Sequence, residues 1–276
     1  MIDLHLHTTA SDGTLAPRDL VARAASARLT TISVTDHDTV AGLPEARRAA
    51  DALGLTLVPG IEITAVEEGR DVHVLGYYFD PQSTTLAQFL TAQRVDRLRR
   101  VREVCDRLCS MGLQVAADDV IESMSDQPGR SIGRPAIADA LVRAGHARDR
   151  DDAFRRLIGH GSPAYVPRHG VSAADVIDVI AQAGGIASLA HPGIAGIDDM
   201  IPFLASRGLA ALEARHSDHT PDVEAHYKAL AARLGLAVSG GSDYHGEGTS
   251  NAAALGVVTL EANDFAVLAA RAHARG

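Results

Sequence analysis

Apolar positions along the chain switch repeatedly between two spacings. Short runs alternate or are apolar throughout, as strands do; longer stretches place apolar residues three and four apart, as amphipathic helices do. "MIDLHLH" reads as a strand. It is followed by a helix from Pro17, with Leu20, Val21, Ala24 and Ala27 at helical spacing. "TTISVTDH" is the next strand, and "LPEARRAADALG" a helix closed by Gly54. "LTLVPGIEIT" and "DVHVLGYYF" are two further strands. After residue 170 the alternation resumes. "SAADVIDVIAQAGG", "DDMIPFLASRG" and "DVEAHYKALAARLG" read as helices between the strands "IASLAH", "LAALEA" and "LAVSGGSD". "ALGVVTL" is expected as a last strand and "NDFAVLAARAHA" as a last helix. Strands alternating with helices imply parallel βαβ units. Seven or eight such units suggest a closed barrel, with its active site at the C-terminal strand ends.

Residues 87–170 break this rhythm. "LAQFLTAQRVDRLRRVREVCDRLCSMG" is one long helical pattern, in which Leu86, Leu90, Leu98, Val101, Val104, Cys105 and Leu108 recur on one face. "AADDVIESM", "GRPAIADALVRAG" and "DDAFRRLIG" read as three shorter helices, with a strand signal in "AYVP" afterwards. The expected organisation is a barrel domain of residues 1–86 and 171–276, carrying an inserted helical subdomain of residues 87–170. Barrel loops accept such insertions without disturbing the core.

The chemistry-bearing side chains fall at the strand ends. His5 and His7 close the first strand, with Asp12 just beyond. His37 ends the second, Glu62 follows the third, and His73 lies on the fourth. His191 ends "IASLAH", and Asp243 and His245 end "LAVSGGSD". Only His73 fits poorly, because it sits early in its run. A lone histidine near a strand end is usually a hydrogen-bonded core residue, and an aspartate in Ser-Asp-Gly is normally a turn residue. Nine metal-competent side chains converging on one barrel mouth point instead to a multinuclear metal site.

Composition narrows the function classes. The formal charge of −9 argues against a general nucleic-acid coat protein, which relies on basic surface. The charge is unevenly spread. Residues 87–170 hold 14 Arg against 11 acidic residues, a net of +3, and the remainder carries −12. Divalent cations would let an acidic protein take an anionic substrate. Cys105 and Cys109, four apart on a helix, are expected to be packing residues facing the core. No apolar run reaches membrane-spanning length and no signal peptide is evident, so the expectation is a cytoplasmic protein without a membrane or obligate protein partner. With no Trp and 4% aromatic residues, extended base-stacking platforms are not expected.

The motifs "DLHLHTTASDG", "VTDHDT", "AHPG" and "GSDYHG", with the glutamate of "PGIEIT" between them, resemble the polymerase and histidinol phosphatase (PHP) family of metal-dependent phosphoesterases. The resemblance covers nearly the whole chain. The stretches "GIEITA", "HVLGYYFD", "GRPAIADALV" and "AYVP" are similar to a bacterial subgroup with an inserted helical domain, which includes 3′,5′-nucleoside bisphosphate phosphatases. The resemblance implies an α/β fold, a distorted (β/α)7 barrel. It also implies a ligand set. His5, His7, Glu62 and Asp243 would hold one metal. Glu62 would bridge to a second, bound by His73 and His191, and Asp12, His37 and His245 would bind a third. Two or three divalent ions are implied, manganese first, with iron or zinc as alternatives. Glu62, Asp243, His191 and His245 are the catalytic candidates.

The resulting expectation is attack of a metal-bound hydroxide on a phosphate ester. The leading substrate is a nucleoside 3′,5′-bisphosphate such as adenosine 3′,5′-bisphosphate, losing its 3′-phosphate to give the 5′-monophosphate. Trimming of short RNA from its 5′ end is a related activity. Histidinol phosphate or another small phosphomonoester is the enzymatic alternative, and a non-catalytic metal-binding module the alternative of another class. Arg134 and Arg168, in or beside the basic insertion, are expected to hold a second phosphate. His216 and His219, after another strand end, are candidates for substrate contact, with a solvated loop as the alternative.

Overall fold

The computed structural model describes residues 1–124, 129–249 and 251–274. Seven strands lie in chain order around a nearly closed barrel. They are β1 (Ile2–Leu6), β2 (Thr31–Val34), β3 (Thr56–Glu67), β4 (Arg70–Tyr77), β5 (Ile186–Leu189), β6 (Ala211–Arg215) and β7 (Ala237–Gly240). β1, β2 and β3 run parallel, as do β5, β6 and β7. The seam between the first and last strands is joined by a bridge between Leu6 and Tyr244, where the His7 amide donates to the Tyr244 carbonyl at 3.0 Å. Gly241 permits that closure, because a Cβ there would stand 2.4 Å from the His5 amide nitrogen.

β4 departs from the parallel pattern: it is antiparallel to both neighbours. It follows β3 through a tight hairpin at Glu68 and Gly69, both with positive φ, the geometry a two-residue hairpin turn requires. The reversal carries a consequence for the site. The start of β4 lies at the same barrel end as the finishes of the parallel strands, which explains the early position of His73 in its run.

Helices cover the barrel where their sequence faces fit. α1 (Pro17–Ser26) buries Leu20, Val21 and Ala24. α2 (Leu43–Leu53) ends on Gly54 in the left-handed conformation, as the sequence predicts. α3 is a 27-residue helix, Thr84–Ser110. Its first turns put Leu86 and Leu90 into the barrel core, and from Val101 onwards its buried residues join a separate cluster. The expected boundary at residue 87 therefore falls inside a continuous helix rather than in a linker. α4 (Ala117–Glu122), α5 (Arg134–Arg143), α6 (Arg150–Ala153) and a π-helical turn (Phe154–Ile158) complete that cluster, which reaches Val166. α7 (Ala173–Gln182) opens with a Ser172–Asp175 capping box. α8 (Pro192–Ala195) and α9 (Ile201–Ser206) are short; α10 (Pro221–Leu234) and α11 (Ala262–His273) follow. Ile2, Val58, Tyr77, Ile186, Ala211 and Ala237 pack with Leu268 and Ala272 of α11 into a third cluster. Most of these begin parallel strands or end β4, so the cluster plugs the end of the barrel opposite the histidines.

Three expectations are corrected. "ALGVVTL" forms turns, with only Leu260 bridging to Ile2, and "AYVP" is not a strand. "ALGVVTL" reaches the edge of β1 only through the Leu260 amide, which donates to the Ile2 carbonyl at 2.8 Å, so local β-propensity is overridden. Cys105 is buried as expected, but Cys109 is exposed. The buried face of α3 there runs through Val101, Val104, Cys105 and Leu108, and Cys109 lies beside it.

Candidate metal centre

The C-terminal ends of the parallel strands with the loops beyond them, the start of β4 and the middle of β3, where Glu62 lies inside the strand rather than after it, bring the nine expected side chains into one cluster. His5 Nε2 lies 3.3 Å from Glu62 Oε2 and 3.2 Å from Asp243 Oδ1. His7 Nε2 lies 3.3 Å and 3.1 Å from the same two oxygens. These four residues form one group whose donor atoms could share a cation. His73 Nδ1 and His191 Nε2 approach the other Glu62 oxygen, at 2.9 Å and 3.1 Å. Asp12 faces His245 Nε2 at 3.3 Å and His37 Nε2 at 3.7 Å, and His7, Asp12, His37 and His245 form a further group. His37 also turns Nδ1 to within 3.0 Å of Glu62 Oε2, so it belongs to a group with Glu62 and His73 as well.

The donors suit divalent cations in one telling respect. Buried polar atoms normally have hydrogen-bond partners. Here His5 Nε2, both ring nitrogens of His7, Asp12 Oδ1, His37 Nδ1, Glu62 Oε2 and His73 Nδ1 are all buried without one. A set of convergent, unsatisfied imidazole and carboxylate atoms fits a metal cluster. The electrostatics agree. Burial alone would push the Asp12, Glu62 and Asp243 carboxyls up, but the surrounding imidazoles outweigh it and hold all three well below the usual range. Burial would likewise depress His7, and the Asp243 and Glu62 carboxylates instead raise it to about 10. His191 and Asp243 have φ of 28° and 53°. Such strained backbone at non-glycine residues clusters at functional sites.

A cavity of about 130 Å³ opens beside Asp12, His37 and His73 and is lined by Arg97, Arg100, Arg134 and Arg168. Two carboxylates hold the four guanidiniums. Asp38 Oδ2 accepts from Arg97 Nε at 2.7 Å and from Arg168 at 2.9 Å. Asp71 Oδ2 accepts from Arg134 at 3.0 Å and from Arg100 at 3.3 Å. Burial favours the neutral acid, yet Arg100 and Arg134 outweigh it and lower the Asp71 carboxyl. Asp12 lines the same cavity and Asp96 Oδ2 lies 4.0 Å from Arg168 Nε, so the wall is built of guanidiniums held by carboxylates. Arg134 also lies over the Phe154 and Tyr165 rings, 5.5 Å and 5.6 Å from their centroids.

The histidines after β6 do not occupy a solvated loop. His216 is buried, with Nε2 3.5 Å from Asp243 Oδ2 and Nδ1 accepting from the Asp218 amide at 3.1 Å. His219 Nδ1 donates to the Ala214 carbonyl at 2.9 Å and Nε2 accepts from the Gly193 amide at 3.2 Å. The solvated-loop alternative is thereby corrected for His216. One ring backs a candidate ligand, and the other has both nitrogens committed to backbone.

Sequence reasoning missed Arg97, Arg100, Asp38, Asp71 and Glu213. Arg97 and Arg100 look like ordinary members of an arginine-rich helix; their three-residue spacing on one face was the available signal. Glu213 lies on β6 in "LAALEA". Its carboxylate is fully buried, 2.9 Å from His5 Nδ1, and accepts from the His191 amide at 2.8 Å. A charged residue inside an otherwise apolar strand was its signal.

Comparisons with known proteins agree with this geometry. The PHP domain profile matches residues 3–148. Rnm, a 5′-3′ exoribonuclease of Salmonella typhimurium, is 34% identical over 250 residues, spanning 88% of this chain and 84% of the relative. A 3′,5′-nucleoside bisphosphate phosphatase of Chromobacterium violaceum is 33% identical over 252 residues, spanning 90% and 88% respectively. A solved structure from Bifidobacterium adolescentis, assigned to the metal-dependent phosphoesterases, superposes with a TM-score of 0.90. It is 36% identical, over 98% of this chain and 96% of its own.

Proposed function

The chain belongs to the PHP domain family and is a metal-dependent phosphoesterase, and from that premise we propose that it removes the 3′-phosphate of nucleoside 3′,5′-bisphosphates. The observation that carries this reading is the arginine-lined cavity directly beside the unsatisfied ligand cluster. In this reading His5, His7, Glu62 and Asp243 hold one cation, and Glu62, His73 and His191 a second. Asp12, His37 and His245 hold a third, with manganese as the first candidate. When bound, such cations acidify water and neutralise charge on the transferring phosphoryl group.

The protein's own residues do the rest. Glu62 presents both carboxylate oxygens to the cluster, one to His5, His7 and His37 and the other to His73 and His191. It thereby ties the ligands of four strands to one point. Arg97, Arg100, Arg134 and Arg168 receive the phosphate that is not cleaved, through the fork geometry that suits guanidinium to phosphate. Asp38 and Asp71 keep the four guanidiniums aligned. Most of this wall comes from residues 87–170, so the insertion is proposed as the substrate-selecting part of the chain. A cytoplasmic place of action accompanies the reading.

A manganese-supplemented assay tests it. Adenosine 3′,5′-bisphosphate, histidinol phosphate and short 5′-phosphorylated RNA are compared at equal concentration. The bisphosphate is expected to have the highest kcat/KM, with release of inorganic phosphate and the 5′-monophosphate. Preference for RNA would instead favour the exonuclease activity carried by the Rnm relative. Preference for histidinol phosphate would remove the need for the arginine wall and overturn the proposal. Bound metal with no esterase activity on any of the three would favour the non-catalytic module.

A further inference from the structure

Glu213 is the one fully buried carboxylate of β6, and the ligand set implied by the family resemblance does not include it. Its two oxygens serve two different strands. Oε1 lies 2.9 Å from His5 Nδ1, at the end of β1. Oε2 accepts from the His191 amide at 2.8 Å, just past β5. The opposite edge of the His5 ring, Nε2, faces Glu62 and Asp243 at 3.3 Å and 3.2 Å and has no hydrogen-bond partner of its own. At His191 the backbone has φ of 28°, which a non-glycine residue adopts only when its surroundings impose it.

From these contacts we infer that Glu213 is a positioning residue of the metal centre, acting on His5 through its ring and on His191 through its backbone. The inference rests on the metal-centre reading above. A carboxylate on Nδ1 keeps the His5 proton on that nitrogen and fixes the plane of the ring. The Nε2 lone pair is then presented to the side where Glu62 and Asp243 converge. The second oxygen anchors the amide of His191 in its strained conformation, and so sets the direction of that side chain toward Glu62. One buried carboxylate thus couples a ligand of the His5–His7–Glu62–Asp243 group to a ligand on the other side of Glu62. Neutral glutamine cannot reproduce both contacts, because both partners are N–H donors and an amide carries a single acceptor oxygen.

Calorimetric titration of the metal-stripped full chain with Mn²⁺ tests this, using Glu213→Gln and, as a control, Ser172→Ala. Ser172 caps α7, its side chain exchanging hydrogen bonds with Asp175. Glu213→Gln is expected to weaken the tightest Mn²⁺ site by about 10–100-fold. Ser172→Ala is expected to lower Tm and leave Mn²⁺ affinity within about twofold, because only a helix cap is lost. Unchanged affinity in Glu213→Gln overturns the positioning role. So does an equal loss of affinity in both variants, which would mark a general effect of destabilisation. If Glu213→Gln does not fold, the histidine tautomers of the wild-type protein decide, read by long-range ¹H–¹⁵N NMR with Zn²⁺ bound. A His5 proton on Nδ1 supports the inference, and a proton on Nε2 overturns it. A wild-type chain that binds no cation overturns the metal-centre reading itself, a result distinct from failure of Glu213 alone.

Discussion

At the scale of single residues, Glu62 and Asp243 are the most heavily engaged side chains of the cluster. Each faces several imidazoles. Glu62→Gln or Asp243→Asn is expected to abolish phosphatase activity. The loss should exceed the roughly 10–100-fold that removal of an outer partner causes. Steady-state assays with saturating Mn²⁺ check this, and a fully active variant at either position would refute the metal-centre reading. His216 and His219 show the limit of residue-level inference. Both follow a strand end, as the proposed ligands do, yet one stands behind Asp243 and the other is tied to backbone. Nothing in "EARHSDHTP" distinguishes these fates, because they depend on where the Gly193 amide and the Asp243 carboxylate arrive from distant parts of the chain.

At the scale of elements, α3 and α5 carry three of the four arginines that face the cluster, and Arg168 comes from the segment before α7. Arg134 opens α5 and its guanidinium enters the cavity wall beside Asp71. Arg134→Ala is expected to raise KM for a 3′,5′-bisphosphate by roughly tenfold, the scale of one charge-assisted hydrogen bond, and to change KM for a simple monoester far less. Equal effects on the two substrates would remove Arg134 from the second-phosphate role. The element that follows α5 makes a different, stability-related prediction. Asp152, at the start of the helix that runs on into the π-helical turn, accepts from the Arg148 amide at 3.1 Å. It also pairs with the Arg156, Arg148 and Arg155 guanidiniums. The Arg148 amide, followed by the arginine side chains, holds its carboxyl below the usual range. A depressed folded-state value means that the stabilisation is complete above the unfolded carboxylate range near pH 4. It is lost as pH falls through the folded value. Denaturant unfolding at a series of pH values should show part of the acid-dependent loss in the wild type disappear in Asp152→Asn.

At the scale of the whole molecule, nine donors from both halves of the chain meet at one barrel end. Cation binding and fold stability are therefore linked. Metal saturation at 100 times Kd would add about 2.7 kcal/mol to stability. For a chain of this size, that corresponds to a rise of several degrees in Tm. Stripping the protein with a chelator should reverse the shift and remove activity together, and Mn²⁺ should restore both. Loss of activity with no change in Tm would separate the cations from the fold. The sequence alone determined the barrel class and most of its helices, since both follow from local periodicity and end signals such as Pro17, Ser172 and Gly54. The motif spacing also placed eight of the nine candidate ligands near expected strand ends, His73 being the exception, because strand ends are marked by a change of local pattern. Tertiary structure decided what depends on direction and on contacts between distant segments. It reversed β4 and so carried His73 to the shared mouth. It held "ALGVVTL" to a single bridge with β1, joined α3 to two cores, and paired the arginines with Asp38 and Asp71. It also set Glu213 behind His5 and His191. Local periodicity does not record which way a strand runs or which remote carboxylate a side chain meets; only packing of the complete chain resolves these.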